Sequence, residues 1–352
     1  MRRIVIELTN RCNLKCQHCF SGRHGGRDDL PMDILCHILN EAHQNGFDFL
    51  SFTGGDPTVY RHFAKAVRLT AEAGYQFGFN TNGWNFPTIY SQLTPYRDKL
   101  AVITFSLDGA TEATHDQLRG RGSFRRLMQA VSVCVVEELP FSFNMVVTAH
   151  NRHQLGPMAQ LATRLGSRGL RFGHLLPSPL TTDQGFDLSP LQRKQVEAEI
   201  WDLARQYPIS MAMGPGYHTT DLFPCGPLNL QEINVDCHGN ITKCCHLSGH
   251  GDSVGQGDIF GNLHDERFSH IYQRLVRENE QFRRRKKEHL SAGSFQDTDF
   301  SPCWYCSNHY QKVGWLRHYA QHPWGDALWD AVDAESTASS PSQPIQLYEM
   351  MQ

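Results

Sequence analysis

Along residues 3 to about 215, short apolar runs rich in β-branched or aromatic residues alternate with segments whose apolar positions recur at helical spacing. The runs predict strands at Ile4 to Leu8, Phe49 to Thr53, Gln76 to Asn80, Ala101 to Ser106, Ser142 to Val147 and Leu170 to Leu175. Between them the periodicity predicts helices such as Met32 to Gln44, His62 to Ala73, Ser123 to Val136 and His153 to Leu165. Strand-helix alternation implies a parallel sheet with right-handed crossovers, hence an α/β fold of the partial, TIM-like (β/α)6 barrel kind. Barrel sites sit at the carboxyl ends of strands. Loops 9–24, 54–58, 80–84 and 106–110 are therefore where chemistry is expected.

After a helix at Pro190 to about Gln206 the rhythm breaks. Two short strand candidates, Glu232 to Val235 and Asn240 to Lys243, flank a turn at Gly239, and a helix follows from Phe268 to about Arg285. The pattern predicts a barrel over residues 1–215 and a smaller cysteine-dense module over 216–325. Residues 334–352, rich in Ser, Thr, Pro and Gln, predict a disordered tail.

The length of 352 residues suits roughly two domains, and 40% apolar with 20% charged residues describes an ordinary globular chain. No apolar stretch is long enough to cross a membrane. With 33 basic against 36 acidic residues there is no global field to gather nucleic acid or an anionic bilayer, so neither is an expected partner. The chain runs from Met1-Arg2-Arg3 straight into a strand with no apolar signal region, which predicts a cytoplasmic location.

Eleven cysteines change the picture because they cluster: Cys12, Cys16 and Cys19, then Cys225, Cys237, Cys244 and Cys245, then Cys303 and Cys306, with Cys36 and Cys134 apart. In a reducing compartment such spacings indicate metal ligands or reactive thiols. Three thiolates directly after the first strand can wrap a cubane iron-sulfur cluster and leave one iron open to a ligand. Zinc, with His18 completing a tetrahedron, is the alternative. In Gly54-Gly55-Asp56-Pro57 the paired glycines allow close backbone approach and Pro57 fixes the exit, although a plain turn needs no more. Asn80-Thr81-Asn82-Gly83 and Ser106-Leu107-Asp108-Gly109, the latter followed by His115-Asp116 and Arg119-Gly120, read either as ligand contacts or as capping and turn chemistry.

The loop Cys12 to Cys19 resembles the Cys-x3-Cys-x-aromatic-Cys signature of the radical S-adenosylmethionine (SAM) enzymes, with His18 at the ring position and Phe20 directly after. The resemblance implies a [4Fe-4S] cluster on Cys12, Cys16 and Cys19 whose open iron is chelated by SAM. One-electron reduction would then give a 5′-deoxyadenosyl radical that abstracts a substrate hydrogen. Gly54, Gly55 and Asp56 resemble the family's Gly-Gly-Glu-Pro element, which receives the SAM amino group, with Asp56 one methylene short. The implied SAM pocket comprises Phe20, Gly54, Gly55, Asp56, Asn80, Asn82, Ser106, Asp108 and Asn144, with Ser106 meeting ribose or carboxylate and Thr148 as a further contact. No catalytic acid or base can be named among nineteen scattered histidines.

Thirteen residues separate Cys225 from Gly239 and four separate Gly239 from Cys244, with Cys303 and Cys306 downstream. Spacing alone permits a zinc knot or an iron-sulfur site. The hairpin resembles the SPASM and twitch extensions of radical SAM enzymes, and Gly261-Asn262-Leu263 resembles their connector. No cysteine follows Cys306. That favours the shorter, twitch-like form, with one auxiliary [4Fe-4S] cluster on Cys225, Cys244, Cys303 and Cys306. Cys237 and Cys245 are spare thiols, Cys36 and Cys134 core residues. The run Arg283 to Lys287 reads as a solvated helix end, or as a guide for an acidic peptide leader or a redox partner.

Members with such modules mostly modify ribosomally made peptides, so the expected reaction is crosslinking, epimerisation or oxidation of a precursor peptide. An electron donor such as flavodoxin or ferredoxin is implied. With no leader-binding segment read ahead of Ile4, leader recognition is expected to be absent, supplied by a separate protein, or carried by the C-terminal module. The alternatives are a twitch-type dehydrogenase of a small hydroxylated molecule and a non-catalytic zinc-binding protein.

Overall fold

The computed structural model describes residues 1–19, 26–178, 181–182, 184–248, 257–293 and 296–318. Phe20 and the predicted tail at 334–352 lie outside the described residues. The strands are β1 (Arg3–Thr9), β2 (Phe49–Gly54), β3 (Gln76–Thr81), β4 (Leu100–Ser106), β5 (Phe141–Val147), β6 (Gly169–His174), β7 (Ser210–Met213), β8 (Glu232–Val235), β9 (Asn240–Thr242) and β10 (Ile259–Asn262). The helices are α1 (Met32–Glu41), α2 (Phe63–Glu72), α3 (Phe86–Ile89), α4 (Glu112–Arg119), α5 (Ser123–Val136), α6 (Leu155–Arg164), α7 (Pro190–Gln206), α8 (Cys245–Ser248), α9 (Phe268–Ser291) and α10 (Pro302–His309).

These strands form one sheet in the order β10-β9-β8-β1-β2-β3-β4-β5-β6-β7. Successive pairs from β1 to β7 are parallel, as crossover helices require. Two features depart from the sequence reading. A seventh parallel strand, β7, extends the six at one edge. At the other edge the hairpin does not stand apart: β8 pairs in parallel with β1, Arg3 against Glu232 through Ile6 against Val235. The cysteine loop after β1 and the β8–β9 turn therefore leave the sheet at the same end.

One face of the sheet is apolar and packed. Ile4, Ile6, Leu50, Phe52, Phe77, Phe79, Ile103, Phe105 and Phe143 are buried there. Phe86 of α3 meets Phe105 edge-on at 5.4 Å, an arrangement aromatic quadrupoles favour. Helices cover this face with apolar positions three and four apart, as at Ile34, Leu35, Ile38 and Leu39 of α1. The opposite face alternates into half-buried polar residues, with Thr104 in register with Ser142, and Ser106 with Asn144. Parallel strands buried on both faces would be continuously hydrophobic. This face is therefore only half-buried.

Helix α9 continues to Ser291, past the end expected near Arg285. Its buried stripe runs Phe268, Ile271, Leu275, Asn279, Phe282 and Lys286. The basic run is thus mid-helix, and Lys286 points inward instead of into solvent. Among the described residues no helix is long and apolar enough to cross a membrane.

Candidate functional site

The cysteine loop is fastened where β1 ends. The Gln17 N–H donates to the Leu118 carbonyl of α4 at 2.9 Å, and a tight turn closes from the Cys19 N–H to the Cys16 carbonyl at 3.3 Å. Cys12, Cys16 and Cys19 are all partly buried and free of disulfides. N–H groups approach two of the sulfurs: Leu14 N at 3.4 Å and Asn82 Nδ2 at 3.8 Å from Cys12 Sγ, and Arg119 Nη1 at 3.9 Å from Cys16 Sγ. Burial pushes the Cys12 thiol up, and the Cys16 thiol up to about 11 against the pull of Arg119.

The paired glycines lay the second loop directly on the first. A Cβ on Gly55 would fall 2.1 Å from the Arg11 carbonyl oxygen, and one on Gly54, where φ is +144°, 2.0 Å from that of Thr9. Two backbone bonds exploit this approach, Gly55 N–H to Thr9 O and Asp56 N–H to Arg11 O, both 2.8 Å. The Asp56 carboxylate is wholly buried and turned toward its own chain. It accepts from Thr58 N at 2.9 Å, Thr58 Oγ1 at 2.5 Å, Thr81 Oγ1 at 2.9 Å and Asn82 N at 2.7 Å. Burial raises its pKa, and these bonds oppose the rise. Asp56 thus ties the second loop to the third, and Asn82 carries the tie on through Nδ2 to Asn13 Oδ1 at 2.8 Å.

Asp108 does the same for the fourth loop. Its fully buried carboxylate receives Arg119 Nε, His18 Nε2 at 3.0 Å and Val146 N at 2.8 Å. Although burial opposes ionisation, the Arg119 guanidinium and His18 hold the carboxyl far below the usual carboxylate range. His18 therefore faces Asp108. Burial and Arg119 keep His115, whose Nδ1 accepts from the Asp108 N–H, down at about 4. Arg119, read from the sequence with its neighbours as a ligand contact or as capping chemistry, is the partner of Asp108, and its guanidinium reaches Cys16 Sγ.

Ser106 and Asn144 stand side by side on the polar face, with Asn80 exposed beyond them on β3. Thr148 is spent on its own turn, its N–H and Oγ1 donating to Asn151 Oδ1. At the end of β6, His174 packs against Gly216, where a Cβ would fall 1.9 Å from its ring, and neither ring nitrogen has a hydrogen-bond partner among the described residues.

The second thiol group is assembled from distant elements. Cys225 precedes a turn at Pro227–Asn229, Cys244 follows β9, and Cys303 and Cys306 are one turn apart on α10. Cys225, Cys244 and Cys306 pack against a small core of Leu228, Leu247, Phe282 and Tyr310. The thiols perturb one another: burial and then Cys225 push Cys306 up to about 12, and burial with Cys306, Cys225 and Cys245 raises Cys303. Cys244 is raised first by its hydrogen bond to Cys245, so that thiol joins the group. His246 Nδ1 lies 3.8 Å from Cys303 Sγ. Cys237 does not join it: it lines a polar cleft with Arg11, Asp29, Arg61 and His238. Cys134 is buried in α5 as expected, whereas Cys36 on α1 is only partly buried. Gly261 and Asn262, read as a connector, belong to β10.

The family described as the radical SAM superfamily matches residues 6–162. The chain carries a radical SAM domain. Mycofactocin maturase MftC of Mycobacterium tuberculosis is 34% identical over 204 residues, 56% of this chain and 51% of the relative, so the chain spans about half the length of that curated relative. An AdoMet-dependent heme synthase of Methanosarcina barkeri is 27% identical over 296 residues, covering 77% of this chain and 82% of the relative. Among solved structures, Streptococcus suis SuiB bound to S-adenosylmethionine superposes with a TM-score of 0.64 at 16% identity, covering 77% of this chain and 65% of that one. That likeness shows the fold, a partial barrel with a parallel-dominated sheet.

Within the radical SAM domain the donor chemistry fits an iron-sulfur cluster. The donors are soft, partly buried sulfurs, with N–H groups directed at those of Cys12 and Cys16, where hydrogen bonds tune such clusters. Thiols raised by burial stay protonated until metal arrives, so loading releases protons. Among the described residues no three or more His, Cys, Asp or Glu side chains form a ready-made site for a metal ion.

Proposed function

We propose that the chain is a radical SAM enzyme that modifies a ribosomally made precursor peptide by crosslinking, epimerisation or oxidation. The observation that carries this reading is that two thiol groups flank one strand pair, the first on the loop after β1 and the second behind the hairpin whose strand β8 pairs with β1. A [4Fe-4S] cluster and SAM, when bound, supply a 5′-deoxyadenosyl radical able to take a hydrogen atom from a substrate. Cys12, Cys16 and Cys19 hold that cluster. Gly54 and Gly55 fix the loop that receives SAM, Asp56 and Asp108 position its neighbours, and Asn80, Asn82, Ser106, Asn144 and Phe20 contribute contacts. Cys225, Cys244, Cys303 and Cys306 hold one auxiliary cluster. A reducing protein such as flavodoxin or ferredoxin delivers the electron, in the cytoplasm, and a separate protein or the C-terminal module recognises the leader.

Two comparisons support a peptide substrate. MftC is a maturase, and SuiB has been solved with its precursor peptide SuiA. Anaerobic incubation with SAM, reductant and candidate precursor peptides, read by mass spectrometry, should show a mass change of the peptide together with 5′-deoxyadenosine. Turnover of a small molecule alone would overturn the peptide assignment. The second reading, oxidation of a small molecule with the auxiliary cluster accepting the electron, is favoured by the match to the heme synthase over most of both chains.

A further inference from the structure

Three lysines of the C-terminal half are buried, and they are treated differently. Lys312, on the far side of the small core, is paired: its Nζ lies 2.8 Å from Asp258 Oδ1. Lys243 and Lys286, 1% and 2% exposed, form no salt bridge with a carboxylate among the described residues. Lys243 Nζ donates to the Asn279 amide oxygen and lies 5.6 Å from the centre of the Phe282 ring. Lys286 Nζ lies 4.6 Å from the centre of the Tyr305 ring. Burial lowers the pKa of both ammonium groups; Cys306, Cys225 and Cys244, and then Glu278, oppose this at Lys243, and Cys306, Asp299 and Cys225 oppose it at Lys286, neither carboxylate lying within salt-bridge distance. A neutral amide and a ring face do not balance a buried ammonium, which costs several kcal/mol unless an anion completes it.

We propose that Lys243 and Lys286 are the built-in counter-charges of an anionic four-thiolate cluster and hold its reduction potential up, making the auxiliary site an electron acceptor. This rests on the auxiliary cluster proposed above. Four thiolates around a [4Fe-4S]2+ core leave two negative charges, and one-electron reduction to [4Fe-4S]1+ leaves three. Two ammonium groups in a low-dielectric shell stabilise the reduced form more than the oxidised one, as net charge near a cluster sets its potential. Lys243 and Lys286 are positioning residues, since they act through the cluster and need touch no substrate. At the first thiol group, the cation whose N–H approaches Cys16 Sγ, Arg119, is by contrast already paired with Asp108.

The test uses the full chain with Cys12, Cys16 and Cys19 changed to alanine, so that only the auxiliary site is observed. Iron content and a redox titration followed by electron paramagnetic resonance are measured in that parent and in Lys243→Met, Lys286→Met, Lys243→Arg and Lys286→Arg. The expected result is retained iron in every variant, a more negative midpoint in both Met variants, and a midpoint near the parent's in both Arg variants. Loss of iron from the Met variants with retention in the Arg variants also supports the proposal, since charge then holds the cluster. Unchanged midpoints with full iron would overturn it, as would equal loss of iron from Met and Arg variants. A parent that binds no iron overturns the auxiliary cluster itself, and the lysine assignment with it.

Discussion

The cysteine loop after β1 and the cysteine set behind the β8–β9 hairpin are both sulfur sites on one sheet, built on opposite plans. The first takes three thiols from one short loop, partly exposed and opening onto the polar face of β4 and β5. Its cation is spoken for: Arg119 is held by Asp108, which also takes His18 and the Val146 N–H. The second gathers thiols from a turn, a strand end and a helix, packs them by Leu228, Leu247, Phe282 and Tyr310, and faces them with two buried lysines that form no salt bridge among the described residues. The thiols of both groups are partly buried, so charge and origin in the chain separate the two sites. A loop whose cation is already paired suits a site that must admit a ligand, and a set lined by two buried lysines suits a centre that exchanges electrons alone.

If the two sites are independent in this way, changes at one should leave the other intact. Replacing Cys303 and Cys306 by alanine should remove about four of roughly eight irons while 5′-deoxyadenosine formation persists, by iron assay and chromatography. Loss of both activities would merge the sites. Arg119→Met takes the guanidinium from the buried Asp108 carboxylate, leaving it only His18 and the Val146 N–H, and should cost about 3 kcal/mol, read as a lower urea midpoint at pH 7. The pH dependence has a definite sign. The carboxyl of Asp108 is held low in the folded chain, so its stabilisation is complete above roughly pH 4 and is lost as pH falls below that. In the variant the carboxyl is raised and protonates early, so the gap in stability between the two proteins should narrow on acidification.

Smaller effects sharpen the contrast. Gly55→Ala drives a Cβ into the Arg11 carbonyl and should cost about 1–3 kcal/mol through displacement of the cysteine loop. Its iron should leave the first site more readily under a chelator, with the second unaffected. Asn82→Ala deletes the bond to Asn13 and the contact to Cys12 Sγ, a loss of about 1 kcal/mol in thermal unfolding.

The alternation of apolar runs and helical periods marked β1 to β6 nearly to their ends, because each strand is long enough for its pattern to be read. Ser210–Met213 and Ile259–Asn262 escaped: each has four residues, and their strand character comes from the edge they pair with. The first thiol group was legible because its cysteines lie close together in sequence. Its supports were less so, since Asp56 and Asp108 appeared as ligand contacts and are instead held by their own chain's donors. The basic run misled for a related reason. Charge suggested solvent, but the stripe from Phe268 to Phe282 continues at the same spacing through Lys286 and carries it inside.

The most direct test of the two-site account is the iron, sulfide and zinc content of the anaerobically reconstituted protein, measured beside a variant with Cys12, Cys16 and Cys19 replaced by alanine. About eight irons in the protein and about four in the variant are predicted. Zinc alone, persisting after reconstitution in both, would contradict it.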